Sequence, residues 1–284
     1  MENPALSDLV ETSWLNENTG RDDIKIIDAT WYMPGFPENA YDQFTSDHIP
    51  GSVFFDIDAI SDKSTDLPHM LPSTQQFASA VNEMGISNDN HVIVYDRLGI
   101  FSSPRVWWTF KVMGHDNVSV LNGGFKKWIS EGYPVESGKT SIIPGKGYTA
   151  NRRPTLVSGF DSLLKHIKEN QDISILDARP GDRFAGLAEE PRPGLKKGHM
   201  PGAVNLFFGD LINSNGTFKS VEELTNILKN KNIATDKPVI TTCGSGITAS
   251  ILFLALYLTG AENLSVYDGS WAEWGAHDQS IIEL

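Results

Sequence analysis

The sequence predicts an α/β fold written twice, each copy a mainly parallel sheet with helices on both faces. Three observations carry this reading. Landmarks of the first half recur in the second at an offset of about 150 residues. Asp28-Ala29 returns as Asp177-Ala178, His48-Ile49-Pro50-Gly51 as His199-Met200-Pro201-Gly202, and Gly123-Gly124-Phe125 with Trp128 as Gly269-Ser270-Trp271 with Trp274. Short β-rich runs alternate with helical patterns in both halves, as parallel strands joined by crossover helices require. Between them, Ser137–Pro154 is rich in Gly, Pro, Lys and Arg and lacks periodicity, which marks a connector.

Taken in order, the strands expected in the first copy are Lys25–Asp28, Val53–Phe55, Val92–Tyr95 and Val118–Leu121. Those of the second are Ile173–Asp177, Ala203–Leu206, Val239–Thr242 and Leu264–Tyr267. Helical patterns cover Thr74–Met84, Val221–Lys229 and Ala249–Leu258. The expected organisation is therefore a first domain over residues 1–138, a linker over 139–157 and a second domain over 158–284.

A chain of 284 residues, 40% hydrophobic and 21% charged, is large enough and apolar enough for two cores. Its formal charge of −13 argues against nucleic acid or an anionic membrane as partner, since both need a basic face. A single cysteine permits no intrachain disulfide and suits a reducing compartment. The start, Met1-Glu2-Asn3-Pro4, has neither the basic and apolar pattern of a secretory signal nor that of a transit peptide. The longest apolar run, Ile251–Leu258, is far shorter than the roughly 20 residues of a bilayer-spanning helix. A cytoplasmic protein without a membrane segment is the expectation. No Cys, His and carboxylate spacing suits a metal, and neither glycine-rich nucleotide motif occurs, so no metal and no cofactor are expected.

The one cysteine, Cys243, ends the apolar run Pro238–Thr242 and opens the small-residue turn Gly244-Ser245-Gly246-Ile247-Thr248 before a helix. A thiol so placed faces backbone N–H groups at a helix N-terminus, where thiolate is favoured over thiol. The glycines flanking Ser245 let consecutive N–H groups converge on one point. A lone cysteine is more often a small buried hydrophobe, but this context points to a nucleophile. The aligned position of the first copy holds Asp96, so the first domain is expected to be catalytically silent. Ligands of open α/β sheets bind beyond the carboxyl ends of the strands, which is where Cys243 falls.

Two chemistries suit a cradled thiolate: phosphoryl transfer, and sulfur transfer through a persulfide. The first needs an arginine closing a Cys-x5-Arg loop. That place holds Ala249, which disfavours a phosphatase.

The Cys243–Ala249 loop, the two His-x-Pro-Gly elements and Tyr267-Asp268-Gly269-Ser270-Trp271-Ala272-Glu273-Trp274 together resemble the two-domain rhodanese-type sulfurtransferases, in order and over nearly the whole chain. In that family the thiosulfate sulfurtransferases carry basic residues just after the cysteine, whereas 3-mercaptopyruvate sulfurtransferases carry Cys-Gly-Ser/Thr-Gly. This chain has the latter form, with Ile247 for the more usual valine. The resemblance implies 3-mercaptopyruvate as sulfur donor, a thiol or cyanide as acceptor with a thioredoxin-like protein as a candidate thiol, and a persulfide on Cys243. It implies Arg183 and Arg192 as the substrate-binding pair beside Gly244, Gly246, Ile247 and Thr248, and Ser245, His69 and Asp58 as a proton relay. A planar guanidinium fork suits the oxygens of a 2-keto acid.

Each assignment has a plainer alternative. Arg183 and Arg192 could be solvated loop charges paired with Asp182, Glu189 and Glu190. His69 could merely pack and cap while Asp58 binds loop amides. Arg179 reads as a structural ion-pairing residue. His48 and His199 occur in both copies, including the one without a cysteine, so a shared structural hydrogen bond explains them better than catalysis, and Asp28 and Asp177 follow the same logic. A thiosulfate-preferring enzyme and a sulfur-carrying or redox-sensing module remain the alternative functions.

Overall fold

The computed structural model describes residues 8–284. The chain forms two compact units, one built from the residues through Ser61 with Pro72–Arg152 and Asn213–Phe218, the other from Asp62–Leu71, Arg153–Ile212 and Lys219–Leu284. Asp62–Leu71 thus groups with the second unit and Asn213–Phe218 with the first, a discontinuity that a division at residues 139–157 does not carry.

The strands of the first unit are β1 (Leu9–Val10), β2 (Ile24–Asp28), β3 (Val53–Phe54), β4 (His91–Tyr95) and β5 (Val118–Leu121), in one parallel sheet of order β1-β5-β4-β2-β3. Those of the second are β6 (Val157–Ser158), β7 (Ser174–Asp177), β8 (Val204–Asn205), β9 (Val239–Thr242) and β10 (Leu264–Tyr267), in the order β6-β10-β9-β7-β8. The two topologies are identical, as a tandem repeat requires. The edge strands β1 and β6, of two residues each, are too short to give a period-two signal and escaped the sequence reading.

Helices complete each unit: α1 (Thr12–Asn18), α2 (Ala40–Ser46), α3 (Thr74–Glu83), α4 (Ser103–Val112) and α5 (Gly124–Ser130) in the first half of the chain, and α6 (Phe160–Lys168), α7 (Gly181–Phe184), α8 (Val221–Asn230), α9 (Ala249–Leu258) and α10 (Ser270–Trp274) in the second. The middle strands β4 and β9 are buried at every residue, which is why they read as unbroken apolar or β-branched runs rather than alternating ones. The helices that follow them are buried too: all of α4, and Ala249 through Leu256 of α9. A helix covered on all sides needs no polar face, and α9 has none.

The repeated landmarks serve the same structural ends in both units. His48 lies against the Phe44 ring, centroids 4.2 Å apart, with Nδ1 at 2.8 Å from the Phe44 carbonyl. His199 does the same with Phe184, at 3.9 Å and 2.9 Å. Trp128 and Trp274 are fully buried and donate Nε1–H to the carbonyls of Pro134 and Ile281.

Asp28 and Asp177 end equivalent strands but meet different neighbours. Asp177 is ion-paired with Arg179 at 2.7 Å. The corresponding neighbour of Asp28 is Thr30, which donates its N–H at 2.9 Å and its hydroxyl to Oδ1. Burial outweighs these hydrogen bonds, and the Asp28 carboxyl is raised from the ordinary 3.8 to about 6. The folded state therefore holds this proton more tightly than the unfolded chain, and its contribution to stability is present below about pH 4 and lost as pH rises through about 6. Asp28→Asn should gain stability relative to the parent chain on going from pH 4 to pH 7.5, by up to about 3 kcal/mol, measured by chemical denaturation at both pH values. An offset between the two proteins that does not change with pH would refute the account.

Candidate active site

A parallel strand that turns directly into a helix leaves several N–H groups pointing at the space beyond the strand end, and they need an acceptor. In the first unit Asp96 supplies it. Its carboxylate accepts the N–H groups of Leu98, Phe101, Ser102 and Ser103 at 2.8–3.0 Å, and the Ser103 hydroxyl at 2.6 Å. In the second unit the corresponding acceptor is Cys243, whose Sγ takes the Gly246 N–H at 3.1 Å. The thiol is 2% exposed and faces the loop amide rather than an apolar wall. Gly246 adopts φ +83, a left-handed conformation that glycine enters freely, and this turns its N–H toward the sulfur.

Around the sulfur, Ser245 and Ile247 are buried, Gly244 and Thr248 are partly open, and Thr248 is the N-cap of α9. The loop is fixed from behind by α10. Cys243 donates its N–H to Ser270 Oγ at 3.2 Å, Ser270 Oγ donates to the Tyr267 carbonyl at 2.8 Å, and the Cys243 and Gly244 carbonyls accept the N–H groups of Trp271 and Ala272, both at 2.9 Å.

The arginines of α7 and its flanks form a buried charge cluster. Arg179 pairs with Asp177 and, at 2.8 Å, with Glu190 Oε1, and its guanidinium stacks 4.1 Å over the Trp271 ring. Arg179 is thus structural, as its sequence position suggested. Arg183 pairs through Nη2 with the other oxygen of Glu190 and lies against the cysteine loop, where Nη2 would be 3.1 Å from a Cβ placed on Gly244. It is paired with Glu190, but its side chain is only 17% exposed, so the pair is not a solvated surface contact. Arg192 is half-buried, two residues beyond Glu190.

His69 is buried and has φ +61, one of four left-handed non-glycine residues among those described. It belongs to the Asp62–Leu71 segment of the second unit, which is tied to the end of β10 by the Leu71 N–H donating to Asp268 Oδ2 at 2.8 Å. Asp268 is two residues from Ser270, so this segment and the cysteine loop hang on one short turn. Asp58 belongs to the first unit, exposed, and accepts Trp31 Nε1–H at 2.9 Å. The relay residues therefore fall in different units.

Residues 11–131 and 160–277 each match the Rhodanese-like domain family. The chain belongs to the rhodanese family. It is 39% identical to 3-mercaptopyruvate sulfurtransferase of Rattus norvegicus, over 94% of this chain and 91% of that protein. It is 41% identical to thiosulfate sulfurtransferase of Gallus gallus, over 94% and 92%. A crystal structure of a 3-mercaptopyruvate sulfotransferase from Escherichia coli matches with a TM-score of 0.85 and 38% identity, over 94% of this chain and 100% of that one.

In this rhodanese chain the sequence assigns no role to two residues of the cysteine surroundings, Asp268 and Ser270, and presents Glu190 only as a partner in a solvated surface pair. Beyond its place in the Tyr267–Trp274 motif, the signal for Ser270 was its alignment with Gly124, which has φ +54. Ser270 keeps that conformation, at φ +50, although it carries a side chain. Such strain costs of order 1–3 kcal/mol and persists where the hydroxyl is needed. Ser270→Ala leaves the buried Cys243 N–H without its acceptor and should lose about 1–3 kcal/mol in chemical denaturation. Ser270→Gly should recover about 1 kcal/mol of that by relieving the backbone. Parental stability in the alanine variant would show that the hydroxyl carries no such role.

Proposed function

We propose that this chain moves the sulfur of 3-mercaptopyruvate to a thiol acceptor through a persulfide on Cys243, releasing pyruvate. The observation that carries the reading is a thiol turned to a loop amide, with the guanidinium of Arg183 lying over Gly244 in place of a basic residue following the cysteine. Thiosulfate is a compact dianion that profits from cations beside its sulfur. The carboxylate of 3-mercaptopyruvate lies several bonds from its thiol, so its cations belong further out. Family likeness alone does not separate the two donors, because relatives named for each are about equally similar.

In the proposed cycle Arg183 and Arg192 orient the donor and the Cys243 thiolate attacks its sulfur. A sulfur–sulfur bond forms, the carbon–sulfur bond breaks, and its electron pair leaves as the enolate of pyruvate, which takes up a proton. Ser245, His69 and Asp58 are the groups proposed to handle that proton. The loop N–H groups from Gly244 to Thr248 stabilise the persulfide anion. An acceptor thiolate then attacks the outer sulfur, leaves as its own persulfide and restores the Cys243 thiolate. A small thiol or a thioredoxin-like protein in the cytoplasm is the proposed acceptor. Among the described residues no helix is long and apolar enough to cross a membrane.

Comparison of kcat/KM for the two donors tests the substrate, with 3-mercaptopyruvate expected to be favoured by about tenfold or more. A preference for thiosulfate would make the chain a thiosulfate sulfurtransferase with the same persulfide. Mass spectrometry tests the intermediate: Cys243 should gain about 32 Da from 3-mercaptopyruvate alone, whereas a carrier module would need a partner protein. His69→Ala should lower kcat by about 10²-fold and flatten the pH–rate profile. A normal kcat with a normal profile removes His69 from the relay.

A further inference from the structure

Four charged side chains of the second unit form one buried cluster: Asp177, Arg179 and Glu190 are at most 2% exposed and Arg183 is 17% exposed. Two carboxylates face two guanidinium groups, so the cluster carries no net charge with which to attract an anionic donor. What it offers instead is geometry. Glu190 is held from behind, its Oε1 fixed by Arg179, which is itself locked by Asp177 and stacked on Trp271. Its Oε2 takes Arg183 Nη2. The carboxylate therefore works as a rigid post that brings one end of the Arg183 guanidinium to Gly244, next to the nucleophile.

Arg183 has a further donor. Its Nε is buried and meets no hydrogen-bond acceptor among the described residues. A buried N–H without an acceptor is costly, and a ligand oxygen arriving there gains the bond and removes the penalty. Lysine could not do both jobs, because an ammonium paired with Glu190 has no second, rigidly offset donor to present.

We propose that Glu190 is the positioning residue for the sulfur donor, fixing Arg183 over Gly244 with its Nε–H left to take an oxygen of a 2-keto acid. The proposal rests on the reading that Arg183 binds the donor. It also gives position 244 a reason to be glycine: a Cβ there would meet Arg183 Nη2 at 3.1 Å, and a nitrogen held by Glu190 cannot swing away.

The test is steady-state kinetics with 3-mercaptopyruvate, alongside the rate at which iodoacetamide alkylates Cys243, for Glu190→Gln, Arg183→Ala and the double variant. Glu190→Gln should raise KM about tenfold with kcat within about twofold, and alkylation should be unchanged. The double variant should match Arg183→Ala, since Glu190 acts only through the arginine. Arg183→Lys should raise KM nearly as far as Arg183→Ala. If Arg183→Ala leaves KM unchanged, the donor-binding reading itself falls. If Arg183→Ala raises KM while Glu190→Gln does nothing, lowers only kcat, or multiplies with it, the role of Glu190 is overturned and the donor-binding reading stands. Should Glu190→Gln not fold, Gly244→Ala reads the same contact without disturbing a buried charge. It should raise KM about threefold or more, and an unchanged KM would count against the post.

Discussion

The amides that converge where a parallel strand runs into a helix are the constraint from which the rest of this molecule follows. They cannot be left unpaired in a buried place, and a backbone of this topology has no internal acceptor for them. Each unit therefore has to place an acceptor at one position, and the two units place different ones. In the first, a carboxylate with its several lone-pair sites accepts five bonds and closes the loop as a structural knot. In the second, a sulfur accepts from Gly246. One substitution thus exchanges a carboxylate for a sulfur in front of the same amides.

A second divergence lies at the ends of β2 and β7. Both present a buried aspartate, but Thr30 follows in one copy and Arg179 in the other. The neutral neighbour leaves Asp28 as a carboxyl that resists ionisation. The cationic neighbour makes Asp177 the base of a chain of paired charges that runs through Glu190 to Arg183. Such a cluster adds little to stability beyond what apolar residues would give, because desolvation offsets the attraction. Its value here is direction: it carries a guanidinium to the cysteine loop and holds it there.

The sequence made legible whatever depends on local pattern. The repeat, the buried middle strands, α9 and the turn around Cys243 are written in apolar runs, Pro-Gly turns and glycine spacing, and all were readable to within a residue or two. The structural character of His48 and His199 was legible as well, because residues shared with a copy lacking the thiol are explained by folding. What stayed hidden depends on partners distant in the chain. Leu71 and Asp268 meet across 197 residues, and nothing near either one announces it. Ser270 looked like a spacer within a motif, yet its hydroxyl holds the backbone of the nucleophile. Glu190 read as one of two adjacent acids on a loop, although its side chain is 2% exposed and shared between two arginines.

The two copies differ at this loop in more than the thiol. A Cβ on Gly124 would lie 2.3 Å from the Asp96 carbonyl and 2.4 Å from that of Gly99, so the loop there is drawn tightly against the start of α5. At the matching place the second copy accommodates Ser270 with its side chain, and that hydroxyl holds the Cys243 N–H. One loop is closed around an acceptor that fills it. Both loops are also tied from behind, the first by the Phe125 N–H donating to the Asp96 carbonyl at 2.9 Å and the second by the Trp271 N–H donating to the Cys243 carbonyl at the same distance, with Ser270 Oγ added in the second. The two copies thus differ in what fills the loop from its centre, a carboxylate in one and a sulfur in the other, while both keep the tie to the helix behind.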